Sequence, residues 1–389
     1  MAIGDVFKIK LENIASGGEA FGRLSGKPVF IQGGAPDETV LCRTIEERKT
    51  WIKADLLEII EASRVRVDSV CAFYGKCGGC NLQHIEYNAQ LEIKASILRN
   101  SFLRIGGFNP PAFQIFPSPP FGYRNRMQFH CLREQAKEEN QKFGLKEQKS
   151  EKIIAVTDCP VADKGIRKLL QEAGKLPLPP EKDRFTVFSC NELFLSEGGV
   201  ETGKIKLLGK EVFFDVRVFF QSNIVMLEKL ILELQKIAAD ADLSLPMADF
   251  YCGVGTFAVF LGEMFSKAVL AEENKKAISL ARENLKGKNV EFFALRDNVW
   301  QETIIKKASA HQKFGFAVVD PPRTGLNGKL AAALAREGPP LLAYVSCNAA
   351  ALARDSKILT NGGYKLKELK FFDFYPQTAH IETLAVFVK

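Results

Sequence analysis

From residue 1 to about 60, apolar and polar positions alternate in short runs broken by glycine pairs, as in "DVFKIKLENIASGGEAFGRLSGKPVFIQGG". A period of two between Gly-rich turns predicts a small all-β barrel. From about 61 to 83 the pattern becomes irregular and carries three cysteines. Apolar residues then recur at Leu91, Ala95, Leu98 and Phe102, a helical spacing that Gly106–Gly107 ends. A proline-rich connector follows, "NPPAFQIFPSPPFGYRNR". Residues 123 to about 219 mix strands and turns as an α+β unit does, with "EQAKEENQKFGLKEQKSEK" as a solvated charged loop.

Beyond about residue 220 the pattern turns regular. "NIVMLEKLILELQKIAA" predicts a helix, and "PMADF", "AVLAE", "VEFFAL", "FGFAVVD" and "LLAYVSC" are short apolar runs, most of them separated by helix-length segments. That alternation predicts βαβ units and a parallel sheet. The last two apolar runs, "YKLKELKFFDFYP" and "ETLAVFVK", lie too close together for a crossover helix and predict an antiparallel pair at the sheet edge. The expected fold is α/β with three parts: a barrel at 1–60, a central α+β part at 61–219, and a Rossmann-like part at 220–389. A helix at about 86–105 is placed to pack on the last of these.

Composition changes this picture little. The 389 residues are 46% hydrophobic, enough for real cores in two or three domains. No run of eighteen apolar residues occurs and "MAIGDVFKIK" lacks a signal-peptide pattern, so a soluble cytoplasmic protein with no membrane partner is expected. A net charge of +7 permits a nucleic-acid partner and equally fits a merely basic protein. Lys8, Lys10, Arg23, Lys27, Arg43, Arg48, Lys49 and Lys53 interleave with the barrel's apolar positions, as on a nucleic-acid platform or a solvated surface. Nothing in the patterning specifies an oligomeric state.

Chemistry enters with "ADFYCGVGTFAVFLG", residues 248–262. Asp249 ends the first predicted strand of the sheet, and Gly253 and Gly255 form the turn before a helix, where glycine lets a ligand approach the backbone. A full GxGxxG is absent because Phe257 and Ala258 follow. Glu272 ends the next strand about 20 residues on, where an acid holds a ribose diol. This pattern fits S-adenosylmethionine better than NAD; a ligand-free helix-capping turn is the alternative. Asp297 follows the third strand and could face the adenine. "VVDPPRTGL", with Asp320 and Arg323, and "VSCN" mark further strand ends, where open α/β sheets place their chemistry.

Cys347, in "LLAYVSCNAAALARD", stands between a predicted strand and a helix. A thiolate attacks the electron-poor C6 of uracil; C5 then becomes nucleophilic enough to take a methyl group from a sulfonium, and a base removes the C5 proton. Glu382, in "PQTAHIETL", supplies a carboxylate among apolar neighbours that raise its pKa. His380 competes for the role of base. Alone, Cys347 would read as a small buried hydrophobe.

Nine cysteines, unevenly spaced, weigh against a disulfide framework. Four histidines (His84, His130, His311, His380) form no HxxxH pair. Cys71, Cys77 and Cys80 lie in "CAFYGKCGGC" and Cys159 in "TDCPVAD". Sulfur-only ligation suits zinc or an iron–sulfur cluster, and spacing does not choose between them.

The chain resembles the RNA (uracil-5-)-methyltransferases, through "FFQSN", "DFYCGVGTF", "DPPRTGL", "YVSCN", "ARD" and "YPQTAHIE". The resemblance implies a class I methyltransferase domain at 220–389, with Cys347 as nucleophile and Glu382 as base. It implies cofactor contacts at Gln221, the Gly253 turn, Glu272 and Asp320, and a base-stacking role for Phe219. Tyr375 stands where the family has Phe, and "VLAEEN" leaves Glu272 against Glu273 as ribose ligand; the spacing to Ala277 and Asn284 favours Glu272. The family's branch acting on large-subunit ribosomal RNA carries a [4Fe–4S] cluster on cysteines arranged as Cys71, Cys77, Cys80 and Cys159, with zinc as the alternative. "ASGGEAFGRLSGKPVFIQGGAPDETV" is similar to the TRAM domain, an OB-like RNA-binding β-barrel. Barrel and cysteines together imply 23S ribosomal RNA as partner. Arg124 and Arg126, in "GYRNRMQFH", are candidate phosphate ligands or ordinary strand ion pairs.

Four readings compete with methylation of uracil C5 in 23S ribosomal RNA. A transfer-RNA uracil methyltransferase would keep the same chemistry. An exocyclic-amine methyltransferase needs no thiol and usually has an aromatic residue where Arg323 stands. A cytosine C5 enzyme would place its cysteine beside proline. A noncatalytic RNA-binding assembly factor would have no use for Cys347, Glu382 and the glycine turn. Which uridine is modified, and whether there are one or two, is not encoded in these motifs.

Overall fold

The computed structural model describes residues 2–132, 143–172, 182–306 and 313–389. Part of the charged stretch from Glu134, and His311, lie outside the described residues. Strands β1 (Val6–Ile14), β2 (Ala20–Leu24), β3 (Lys27–Ile31), β4 (Thr39–Glu47) and β5 (Ile52–Glu61) close into a barrel in the order β1-β2-β3-β5-β4. Alternate residues point inward, and Ile9, Leu11, Val29, Ile31, Val40 and Ala54 fill the interior. The buried Glu38 at one end is bonded by Arg66, whose guanidinium also reaches the Gly33 carbonyl at 2.7 Å, so the chain leaving the barrel is tied back to it.

Helix α1 (Tyr87–Ser101) begins where the Glu86 side chain accepts from the Asn88 and Ala89 amides, both at 3.0 Å. It widens over Phe102–Gly106 and stops at Gly107, whose φ of 80° only glycine adopts freely. The short strand β6 (Gln114–Phe116) follows. Next, β7 (Arg126–Cys131), β8 (Phe143–Lys146), β9 (Ile153–Ile154), β10 (Arg184–Cys190) and β11 (Leu193–Ser196) form a five-stranded sheet, order β11-β10-β7-β8-β9. It packs on α2 (Lys164–Gln171) through Phe129, Phe143, Phe185 and Ile166. A hairpin, β12 (Thr202–Leu207) and β13 (Lys210–Asp215), leads to the C-terminal sheet.

That sheet holds β14 (Met247–Phe250), β15 (Ala268–Glu272), β16 (Val290–Ala294), β17 (Phe316–Val319), β18 (Leu341–Ser346), β19 (Lys365–Phe372) and β20 (Glu382–Val388). With β6 the order is β16-β15-β14-β17-β18-β20-β19-β6. The first five are parallel, and β20 runs antiparallel to both β18 and β19. The last two strands therefore pair as the sequence predicts, but β6 takes the edge beyond them. Its three residues are too few to show a strand period inside a proline-rich connector.

Helices α3 (Ile224–Ala238), α4 (Thr256–Leu261) and α5 (Lys275–Asn284) cover one face; α6 (Gly328–Glu337) and α7 (Ala349–Asn361), with α1, cover the other. Both faces being covered explains why "FAVV" and "LLAYVS" are buried at every position. Strand order reverses between β14 and β17, which opens a crevice at their carboxyl ends. The core of the α1 face runs on through Leu82 and Ile85 into the barrel, so barrel and sheet share one apolar cluster.

Candidate active site

A cavity of about 530 Å³ opens at this crevice. It is lined by Gly253 after β14, Glu272 at the end of β15, Asp297 after β16, Asp320 after β17, Cys347 after β18 and Glu382 at the start of β20. The antiparallel register pairs Ser346 with Thr383. One residue further out, Cys347 and Glu382 stand opposite each other on neighbouring strands. Thiol and carboxyl are adjacent because of strand register, though 34 residues separate them in the chain.

The turn after β14 divides its glycines. Gly253, at φ 55°, has open space where a side chain would project into the cavity. Gly255, at φ 79°, caps α4, and a Cβ there would stand 3.2 Å from the Ala281 Cβ, so it serves packing. One Glu272 oxygen accepts the Gly253 amide at 3.1 Å and the other accepts the Asn274 amide at 2.8 Å, which fixes the carboxylate at the cavity wall. The Tyr251 hydroxyl donates to Asp297 at 3.0 Å, and its ring meets Trp300 edge-on at 4.6 Å. Gln221 brings a buried side-chain oxygen with no hydrogen-bond partner. Phe219 is 61% exposed at the rim.

The acids crowd one another. Burial, together with Asp320 and less so Arg323 in opposition, holds the Glu382 carboxyl well above the usual carboxylate range. One of its buried oxygens has no hydrogen-bond partner. Burial lifts Asp320 to about 7. Asp249 lies beneath the cavity rather than on its wall; burial, then Asp320 and Glu272, push it up, and the Ala258 amide offsets this only in part. Burial, Glu382 and Asp320 push the Cys347 thiol up to about 12, with Arg323 the cation that opposes them. Asn348, which caps α7, holds the Arg323 carbonyl at 2.9 Å and so fixes that cation's backbone beside the thiol. Partial burial, then Arg323, Arg124 and Lys94, push His380 down to about 4 although its ring reaches the surface. At neutral pH it is uncharged.

Known proteins are similar to this chain in sequence and in fold. A family profile described as tRNA (uracil-5-)-methyltransferase matches residues 202–389. A Treponema denticola protein described as an uncharacterized RNA methyltransferase is 32% identical over 98% of each chain. A Pseudomonas putida 23S rRNA (uracil(1939)-C(5))-methyltransferase, RlmD, is 28% identical over 99% of this chain and 94% of its own. The chain belongs to the RNA (uracil-5-)-methyltransferase family. It is an S-adenosylmethionine-dependent enzyme that methylates uracil C5 in RNA. Its fold matches that of a Pyrococcus abyssi tRNA (uracil-54, C5)-methyltransferase solved with S-adenosylhomocysteine, with a TM-score of 0.74 at 24% identity, covering 98% of this chain and 100% of that one.

Of the candidate residues, Cys347, Glu382, Gln221, Gly253, Glu272, Asp297, Asp320 and Phe219 meet around this one methyltransferase cavity. Asp249 and Gly255 support it from below. Arg124 instead lines a second cavity of about 220 Å³, together with Cys71, Cys77, Cys80 and Cys159. Arg126 lines neither; its guanidinium donates to the Val216 carbonyl at 3.3 Å. Burial and the neighbouring thiols push Cys80 up to about 11 and Cys159 to about 12, with Arg124 opposing. Among the described residues, no three His, Cys, Asp or Glu side chains converge as the ligands of one ion would. Sequence reasoning missed Tyr251 and Trp300, which wall the cavity beside Asp297. The signal at Tyr251 was its place in a Gly-rich turn, where its φ of 63° throws the ring inward. Among the described residues, no helix is long and apolar enough to cross a membrane.

Proposed function

We propose that this enzyme is cytoplasmic, that it methylates a uridine of 23S ribosomal RNA, and that it works through a covalent adduct between Cys347 and C6 of the target uracil. The observation that carries the mechanism is the cross-strand pairing of Cys347 with Glu382 on the rim of the cofactor cavity. S-adenosylmethionine supplies an electrophilic methyl group when bound. Gln221, Gly253, Glu272, Asp297 and Asp320 would hold it: the cavity is of cofactor size, Gly253 leaves room for a ligand, and Gln221 brings an unsatisfied buried acceptor. Asp249 and Gly255 shape the turn beneath.

The target base leaves its stack and lies against Phe219. The Cys347 thiol gives up its proton to solvent, its sulfur forms a bond to C6, and the electron pair of the C5–C6 double bond moves onto C5 and O4. C5 takes the methyl group. Glu382 then removes the C5 proton, the double bond re-forms and the thiolate leaves. A carboxyl raised by burial binds a proton more tightly than an exposed one, which suits it to accept the C5 proton. His380, pushed down to about 4, is a weaker base and suits hydrogen bonding to the substrate.

The other parts of the proposal rest on chemistry and likeness. Cys71, Cys77, Cys80 and Cys159 line one cavity, and sulfur-only ligands gathered there suit a soft metal centre. A [4Fe–4S] cluster spans such a space better than a single zinc ion, which needs all four sulfurs at about 2.3 Å. Such a cluster organises the segment around it; methyl transfer exchanges no electrons. Residues 1–60 form a TRAM-like RNA-binding domain, 61–219 the cluster domain and 220–389 the methyltransferase domain. Arg124 borders the cluster, and Arg126 is a candidate RNA contact only at its exposed edge. The relatives named as 23S ribosomal RNA enzymes, matched end to end, favour that substrate over transfer RNA.

The test is mass spectrometry of the protein after incubation with S-adenosylmethionine and 5-fluorouridine-substituted 23S ribosomal RNA or transfer RNA. Fluorine at C5 cannot leave as a proton, so the adduct persists. An RNA-linked peptide containing Cys347, formed with ribosomal RNA and absent in Cys347→Ala, is expected. Adducts with transfer RNA alone would move the substrate. No adduct on either, from cofactor-binding protein, would remove the covalent mechanism, as would full activity of Cys347→Ala.

A further inference from the structure

The segment that carries the proposed base makes a few bonds within itself, through Thr378 to the Tyr375 carbonyl and the His380 amide, and many more to atoms from elsewhere in the chain. Between β19 and β20, the Phe374 carbonyl accepts from Asn223 at 3.1 Å and the Tyr375 carbonyl from Lys94 at 2.9 Å. The Pro376 carbonyl accepts from the Tyr123 hydroxyl at 2.9 Å. The Gln377 amide donates to the Gln90 side chain at 2.9 Å, and that side chain donates back to Gln377 at 2.9 Å. Gln377 itself sits at a φ of 68°, which a non-glycine residue holds only under external constraint.

Asn81 closes this set from the cysteine segment, one residue after Cys80. Its backbone amide and that of Leu82 both donate to the Gln377 carbonyl, at 3.1 and 3.0 Å. Its side-chain oxygen accepts the Ala379 amide at 2.9 Å, and its side-chain nitrogen donates to the Gly17 carbonyl of the barrel at 3.0 Å. Gly18, at φ 86°, leaves room for it: a Cβ there would stand 2.1 Å from the Asn81 amide nitrogen. One side chain thus joins barrel, cysteine segment and catalytic segment, three residues before Glu382.

We propose that Asn81 is a positioning residue for the proton-abstraction step: by holding the Ala379 amide it sets the reach of Glu382 to the C5 proton. The inference rests on the assignment of Glu382 as base. Nucleophilic attack by Cys347, which stands between β18 and α7, does not depend on Asn81. Its removal therefore slows adduct resolution and spares adduct formation, whereas loss of folding would lower both.

The experiment uses full-length protein and 23S ribosomal RNA labelled with tritium at uracil C5, following tritium release and the denaturation-resistant protein–RNA adduct. Asn81→Ala is expected to slow tritium release by about 100-fold, the cost of a small misplacement of a catalytic group. It should accumulate adduct, with S-adenosylmethionine affinity unchanged. Asn81→Asp keeps the oxygen that accepts from Ala379 and should restore most of the release rate, although it loses the bond to Gly17. Glu382→Gln should accumulate adduct more completely. If Glu382→Gln accumulates adduct while Asn81→Ala releases tritium at the wild-type rate, or loses adduct formation and release together, the positioning role is refuted. If Glu382→Gln accumulates none, the base assignment falls, and this inference with it.

Discussion

Lys94 offers the sharpest quantitative test of how the catalytic segment is held. Its ammonium lies 2.6 Å from Asp373 and 2.9 Å from the Tyr375 carbonyl, and the side chains of Lys94 and Asp373 have no solvent exposure. Burial pushes the lysine's pKa down, and Asp373 only partly restores it, so the pair is held by geometry and not by surplus attraction. Lys94→Met keeps the stem and removes the charge. Asp373 is then left buried with the Tyr87 hydroxyl, at 2.8 Å, as its remaining side-chain donor. Stranding one member of a buried pair costs about 3–5 kcal/mol, a large share of the roughly 5–15 kcal/mol available to a domain. The Tyr87 bond places the expectation at the lower end, about 3 kcal/mol. In Lys94→Met/Asp373→Leu no charge is stranded, and most of that loss should be recovered. Urea unfolding followed by Trp300 fluorescence, in a Trp51→Phe background, reads the sheet alone because the chain has two tryptophans. A loss below about 1 kcal/mol, the value of a surface pair, or a double variant no more stable than the single, would refute the reasoning.

Three further outcomes are expected. Phe219→Ala should leave the unfolding midpoint unchanged, since the ring is 61% exposed, and weaken RNA binding by about 1–3 kcal/mol, read as a rise in Kd at fixed salt; an unchanged Kd would remove its stacking role. Glu272→Gln should weaken S-adenosylmethionine binding at least about tenfold in calorimetry, because the fixed carboxylate is worth a charge-assisted hydrogen bond or more; Glu273→Gln should have the smaller effect. With Cys347 pushed up to about 12, its alkylation by iodoacetamide in the cofactor-free protein should rise about tenfold per pH unit from pH 7 to 10 without a plateau. Arg323→Gln should lower that rate at each pH. Mass spectrometry of the Cys347 peptide reads this, and a plateau near pH 8.5 would contradict the burial argument.

Legibility in the sequence followed the range of each interaction. The barrel and the α/β alternation show because each element's period is local: "KIKLENI" alternates in sequence and in burial. Cys347, Gly253 and Glu272 were readable because each stands where a strand must end. What could not be read was pairing across distance. β6 is three residues of a proline-rich connector that becomes a strand only when β19 offers an edge. Asn81, Gln90 and Lys94 are ordinary residues in an irregular segment and on a helix, and their role appears only where Gln377, Ala379 and Tyr375 meet them. Arg124 shows the converse: a basic residue beside a strand suggests phosphate, yet the fold turns it toward thiols.

The electrostatics of the cavity bear on how Cys347, the proposed nucleophile, would lose its proton. Ionising Cys347 beside the carboxyls of Glu382 and Asp320 is disfavoured, and Arg323 is the cation that opposes them. A thiol pushed up to about 12 keeps its proton at neutral pH and is a poor nucleophile. A sulfonium cofactor held, as proposed, by Asp320 and Glu272 would add positive charge within the same low-dielectric cavity, where it would count for most. The proton affinity of Cys347 would then fall when the methyl donor is in place. On the proposed mechanism, the order of events follows from charge balance: cofactor first, thiolate second, adduct third. After methyl transfer the cofactor would have given up its charge with its methyl group, and Glu382, buried beside Asp320, would be the carboxyl placed to take the C5 proton.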